Sequence, residues 1–154
     1  MLALSNTQTL WFLDNRVEIV PERPDHALLE LSAHPGDMVP LHVHHEEDEV
    51  FAVLEGELTL LVNGTPTVVG AGRSVTAPRG IPHAYRVTSE TSARWLVLTT
   101  PGTFSAFVRE LGRPAGAGLP VPSGPPSPEK AGVLAEAAAR HGIEILGPPP
   151  FPPP

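Results

Sequence analysis

Across residues 9–100 apolar residues come in short stretches split by turn formers at close intervals, the spacing of an antiparallel sandwich or barrel. Strands are expected at Ala27–Ala33, 50–54, Glu57–Val62 and 93–99. Between Leu58-Thr59-Leu60-Leu61-Val62 and Thr65-Pro66-Thr67-Val68-Val69 sits Asn63-Gly64. That pair accepts positive φ at both centres of a type I′ turn, so a tight hairpin is expected there. Gly56, between Leu54 and Leu58, has the backbone freedom of a further strand-to-strand turn. With 20 Pro and 14 Gly among 154 residues the chain favours turns over long helices, and a helical bundle is disfavoured.

After Pro101-Gly102 the texture changes. Thr103 is placed to cap a short helix that carries Phe104, Phe107, Val108 and Leu111 on one face and closes at Gly112. Residues 113–154 hold 12 of the 20 prolines. They are interrupted by residues 127–141, where Pro128 in the first turn, an Ala-rich interior and Gly142 past the end mark a second helix. The expected organisation is a β-barrel domain over residues 1–112, including the helix at 103–111, followed by 113–154 as Pro-rich linker, helix 128–141 and extended C-terminal tail. The closing Pro-rich run is expected as polyproline, loose or laid along the domain.

Charge and composition narrow the function. A formal net charge of −7, with no cluster among the 10 Lys and Arg, argues against nucleic acid, whose phosphates require a basic face. No apolar run approaches the roughly 18 residues of a spanning helix. The first 13 residues lack a basic n-region and a small-residue cleavage site, so the cytoplasm is the expected compartment. Zero Cys excludes disulfides and thiolate ligands, which leaves His, Asp and Glu to hold any metal.

His42 and His44 are two apart, so on a strand both imidazoles project to one face. Glu49 follows five residues after His44, leaving a short loop before the strand at 50–54, and His83 stands at the mouth of another strand after Pro78-Arg79-Gly80-Ile81-Pro82. Three imidazoles and one carboxylate converging inside a barrel would make a divalent first-row metal site with open positions for water, substrate or dioxygen. His45 breaks the parity and should point outward, and Glu46, Glu47 and Asp48 are read as a solvated acidic run. His26, His34 and His141 lie in turn-like or helix-end settings and are read as structural, His141 favouring the helix dipole. Gly36, Gly56, Gly72 and Gly80 are backbone necessities rather than a phosphate loop, since none precedes a helix.

The run from Gly36 through His42, His44 and Glu49 to Gly56 resembles the first motif of the cupin superfamily, Gly-x5-His-x-His-x4-Glu-x6-Gly. Gly72, Pro78, Gly80 and His83 resemble its second motif, Gly-x5-Pro-x-Gly-x2-His, with Val87 where the family has Asn. Nine defined positions match in order, and residues 36–87 cover about a third of the chain. The resemblance implies an all-β fold, a double-stranded β-helix or jelly-roll barrel, with short C-terminal helices and a Pro-rich tail. It also implies that His42, His44, Glu49 and His83 bind one divalent transition metal, with iron, nickel, manganese, cobalt, copper and zinc all compatible with the donors.

The Trp11-Phe12-Leu13 opening, the helix at 101–111 and the Ala-rich helix ending in Gly142-Ile143-Glu144-Ile145-Leu146 look more narrowly like small bacterial cupins similar to quercetin 2,3-dioxygenase. That similarity implies an oxidoreductase that cleaves an aromatic or enolisable, flavonol-like small molecule with dioxygen, with Glu49 as both ligand and catalytic base. Such a substrate needs an apolar cavity. Strand parity points Phe51, Val53, Leu60, Tyr85, Trp95 and Val97 inward, with Phe104 and Phe107 as a lid. The family also hosts redox-neutral isomerases and polyketide cyclases, in which the metal is only a Lewis acid, and non-catalytic small-molecule-binding modules. The acidic balance and the lack of a helix-turn-helix segment weigh against the last of these. The resemblance further implies a homodimer paired through sheet edges and N-terminal segments, here residues 9–20.

Overall fold

Alternation sets the strands. In Ala27–Ala33 (β3), Ala27, Leu29, Leu31 and Ala33 are buried while the residues between them face outward, the pattern of a sheet with one face on a core. The computed structural model describes residues 7–152. Residues 1–6 of the expected first domain, and residues 153 and 154 of the expected tail, lie outside the described residues.

Two antiparallel sheets face each other across the core. The larger is built from Gln8–Phe12 (β1), Asn15–Ile19 (β2), β3, Asp48–Glu55 (β5), Ser74–Ala77 (β8), Ala93–Thr100 (β10) and Arg113–Pro114 (β11), in the spatial order β11-β1-β2-β3-β10-β5-β8. The smaller has Leu41–His44 (β4), Glu57–Val62 (β6), Thr65–Gly70 (β7), His83–Val87 (β9) and Ile143–Gly147 (β12), in the order β12-β4-β9-β6-β7. The inner faces bury Trp95, Phe51, Leu29, Leu58 and Leu60. This is the double-stranded β-helix. Helices Phe104–Leu111 (α1) and Pro128–Arg140 (α2) complete the chain. Among the described residues no helix is long and apolar enough to cross a membrane.

The hairpin forms as expected, with Asn63 at φ 50° and Gly64 at φ 78° between β6 and β7. Gly56 sits at φ 76°, and a Cβ there would come within 2.9 Å of the Ala93 backbone, so both conformation and space require glycine. Strands 50–54 and 93–99 are extended to Asp48–Glu55 and Ala93–Thr100, which moves Glu49 from a loop onto a strand.

Other expectations are corrected. Thr103 makes no side-chain cap; the first backbone N–H of α1, that of Phe104, is instead donated to the Glu47 carboxylate at 3.1 Å. The barrel does not end at residue 112. Arg113 and Pro114 pair with Trp11 and Leu10, and Ile143–Gly147, read as part of the tail, pairs along β4 with Ile143 opposite His44 and Ile145 opposite His42. Ile143 and Ile145 turn one apolar face inward, while β4 otherwise exposes an unpaired edge. Within residues 9–20, β2 lies between β1 and β3, while the outer edge of β1 is paired by β11 at Leu10 and Trp11. Ser127 does cap α2, its hydroxyl accepting from Lys130 N at 3.2 Å, and the final Pro-rich stretch lies along the domain, where Arg86 donates to the Pro152 carbonyl at 3.0 Å.

If β12 is part of the core, Ile143→Ala lowers unfolding free energy by about 2–4 kcal/mol in urea titration, whereas Val133→Ala, exposed on α2, stays within about 0.5 kcal/mol. Equal effects would contradict the docking of β12.

Candidate metal centre

The two sheets divide the cluster between them. β4 contributes His42 and His44 on one face, and His83 opens β9 directly opposite His42 in the register, with ring centroids 4.4 Å apart. Glu49 comes from β5 in the facing sheet. One donor atom from each of the four lies within 4.8 Å of the others. The loop before β9 is held in place by Gly80 N donating to the His44 carbonyl at 2.8 Å, and by Arg79 N donating to Asp48 Oδ1 at 2.9 Å.

Each imidazole has its outer nitrogen committed. His42 Nδ1 donates to the Pro40 carbonyl at 2.8 Å and His83 Nδ1 to the Ile81 carbonyl at 3.1 Å. His44 Nδ1 donates to Glu47 Oε1 at 3.1 Å. A carbonyl only accepts, so the Nδ1 atoms of His42 and His83 carry protons and their Nε2 lone pairs are directed inward. Glu47 is therefore not part of a solvated run. It is 1% exposed, holds His44 with one oxygen and the start of α1 with the other, and is a functional residue that sequence reasoning missed. Glu46 is exposed and Asp48 half-buried, paired with Arg79, while His45 points outward, its Nε2 2.8 Å from Glu144 Oε2.

The donor set fits a divalent cation. Glu49 Oε2 lies 2.9 Å from His83 Nε2 and 3.1 Å from His44 Nε2, the latter without hydrogen-bond alignment, so that His44 Nε2 is a buried polar atom with no hydrogen-bond partner. Lone pairs facing a carboxylate at such range call for positive charge between them, supplied by a proton or by a metal. Burial opposes the charged form of His44, but Glu49 and Glu47 outweigh it and raise its pKa to about 10. Burial, then the neighbouring His83 and His44, push His42 down to about 3. Burial works against the Glu49 carboxylate, yet His44 and His83 hold it well below the usual range and so ionised. Three nitrogens and one oxygen suit first-row divalent ions.

A cavity of about 60 Å³ adjoins this cluster. Of the expected wall residues, Phe51, Tyr85, Val97, Phe104 and Phe107 line it. Val53, Leu60 and Trp95 do not; all three are inward-facing but packed into the core away from it. Phe12, Asn15, Val39, Leu134, Ile143 and Ile145 line it as well, brought in by elements whose docking is non-local. At one wall Tyr85 donates its hydroxyl to Asn15 Oδ1 at 3.0 Å, and Asn15 Nδ2 donates to Asp37 Oδ2 at 2.8 Å. Burial raises the Asp37 pKa from 3.8 to about 6 against the lowering effect of Asn15. His26 pairs with Asp25 at 3.0 Å and His141 lies 3.5 Å from Glu110, both away from the cluster.

Residues 30–99 match the model of the Cupin domain family. Quercetin 2,3-dioxygenase of Bacillus subtilis (strain 168) is 34% identical over 84 residues, 54% of this chain and 25% of that protein. The HTH-type transcriptional regulator PuuR of Escherichia coli (strain K12) is 37% identical over 70 residues, 46% of this chain and 38% of the regulator. The chain thus spans a quarter to two fifths of these relatives. Among solved structures, an RmlC-like cupin from Shewanella frigidimarina NCIMB 400 superposes with a TM-score of 0.58 at 18% identity, covering 66% of this chain and 89% of that one.

With the cluster as the metal site, His44→Ala abolishes stoichiometric metal binding and His45→Ala leaves it intact. Glu47→Gln weakens metal affinity about 10–100-fold, as loss of an outer hydrogen-bond partner does; competition titration with a chromophoric chelator reads all three. A second outcome concerns Asp37. Its raised pKa means that its contribution to stability is full below about pH 4 and is lost as pH rises through about 6. Asp37→Asn removes this titration, so the variant gains on the native protein across that window. The expected gain is about 2 kcal/mol in denaturation, one pKa unit being worth about 1.4 kcal/mol and partial exposure discounting the full shift.

Proposed function

Because residues 30–99 are a cupin domain, we propose that this chain is a metal-dependent enzyme, a dioxygenase that cleaves an aromatic or enolisable small molecule of the flavonol kind. The observation that carries the proposal is the convergence of His42, His44 and His83 with Glu49 beside an apolar cavity. The 34% identity to quercetin 2,3-dioxygenase supports the oxygen-consuming branch.

His42, His44, Glu49 and His83 would hold one divalent ion, which when bound would favour the anion of a substrate hydroxyl and lower its pKa. The chain itself does the rest. Glu49, ionised between two imidazoles, is a weakened base, and its carboxylate would accept the proton of a hydroxyl already made acidic by the bound ion. Phe51, Val97, Phe104 and Phe107 exclude water and keep an aromatic ring against the cluster. A cavity of about 60 Å³ is far below the roughly 300–1,000 Å³ of drug-sized ligand sites. A flavonol therefore enters only when the wall moves, and α1, which supplies Phe104 and Phe107 and is tied to the cluster through Glu47, is the element to move.

A second reading rests on the regulator: 37% identity over 70 residues supports a non-catalytic module that binds a small molecule. Oxygen uptake separates the two. Protein reconstituted with iron, manganese, nickel or cobalt consumes oxygen only when both metal and quercetin are present, and Glu49→Gln lowers the rate at least about 100-fold while retaining more metal than activity. No uptake by metal-loaded protein across a flavonol panel would reject the dioxygenase, and full activity in Glu49→Gln would reject the base.

A further inference from the structure

The cavity has a second polar pole. Tyr85 stands two residues beyond His83 on β9 and shares its face, and it lines the cavity together with His42, His44 and Glu49. Asn15, the first residue of β2, lines the same cavity and is 2% exposed. The remaining wall away from the His/Glu cluster is apolar, among it Phe12, Leu31, Val39 and Val97.

Hydrogen-bond polarity at this pole is set from its outer end. An ionised Asp37 only accepts, so the 2.8 Å contact turns the Asn15 amide with its nitrogen toward Asp37. Asn15 Oδ1 is thereby turned to Tyr85 and accepts its phenolic proton at 3.0 Å. With that proton committed, Tyr85 offers the cavity an oxygen lone pair, an acceptor and no donor. A wall that presents one buried acceptor discriminates strongly against analogues that bring no donor to it, because the acceptor is then left dry and unpaired.

We infer that Asn15, Asp37 and Tyr85 form a specificity site: among molecules whose acidic hydroxyl docks at His42, His44, Glu49 and His83, it selects those carrying a second hydroxyl at the far end of a compact ring. This rests on the functional reading above only for where the acidic hydroxyl docks; it does not require that oxygen be consumed.

The test uses the full chain loaded with cobalt at about pH 8, where Asp37 is ionised, and three hydroxypyranones titrated by calorimetry. Kojic acid carries a distal hydroxymethyl group, allomaltol a methyl group in its place, and the methyl ether of kojic acid keeps the distal oxygen without its proton. Kojic acid is expected to bind about tenfold more tightly than allomaltol, the equivalent of one buried hydrogen bond, and the ether no better than allomaltol. In Tyr85→Phe the kojic acid preference collapses to about unity, because allomaltol no longer leaves a buried acceptor unpaired. An ether that binds like kojic acid would show that Tyr85 donates and would overturn the inference without any variant. A preference that survives in Tyr85→Phe, or a native protein that binds none of the three, would overturn it too. Should flavonols fail to drive oxygen uptake while this order of affinities holds, the dioxygenase falls and the specificity site stands; uptake with the order absent means the reverse.

Discussion

Everything chemical in this molecule depends on imidazoles whose outer nitrogens are already engaged. His42 and His83 use one local device, a ring Nδ1 donating to the carbonyl two residues earlier, at Pro40 and Ile81. Strand entry builds the acceptor and the ring together, so each lone pair is aimed before the sheets meet. His44 ends its strand, and a carboxylate three residues on, Glu47, takes the part that the carbonyl plays for the other two. Closing the sheets then delivers Glu49 from the opposite side. A buried carboxylate against three lone pairs is costly unless positive charge joins them, and a cluster that could take a cation is therefore assembled by the closed barrel and not by any segment within it.

Strand parity made much of this legible. The two-residue spacing of His42 and His44, the Asn63-Gly64 turn and the alternation of Ala27–Ala33 are local facts, and they hold in the fold. Parity sorts inside from outside but does not resolve depth. Val53, Leu60 and Trp95 point inward as surely as Phe51 and Tyr85, yet they lie in the packed core away from the cavity. Glu47 was hidden for a different reason. In Glu46-Glu47-Asp48 three acids in a row look solvated, and only the docking of α1, 57 residues later in sequence, gives the middle one a backbone donor to meet. Ile143–Gly147 was hidden by its neighbours, a short apolar alternation lying between a glycine at the end of a helix and a run of prolines.

Glu47 also explains how α1 begins. Thr103 has the residue type of a cap but leaves that role unfilled, while a side chain from the far side of the cluster accepts the Phe104 N–H. The start of the helix is thus set by tertiary structure, and the Phe104 and Phe107 side chains over the cavity inherit their position from the same carboxylate that orients His44. Displacing the helix would leave a buried carboxylate oxygen without its donor, a cost that opposes opening.

The pairing of β12 with β4 carries a consequence for biosynthesis. β4 has β9 on one side and β12 on the other, and β12 is the last strand in the chain order. As the chain emerges from the ribosome, the strand holding two of the imidazoles keeps an unpaired edge until about a hundred further residues have been made. Open edges of this kind are templates for pairing with other chains. The helical and proline-bearing stretch that separates β4's neighbours from β12 therefore sets a waiting time, during which the strand carrying His42 and His44 keeps an edge open to misassembly.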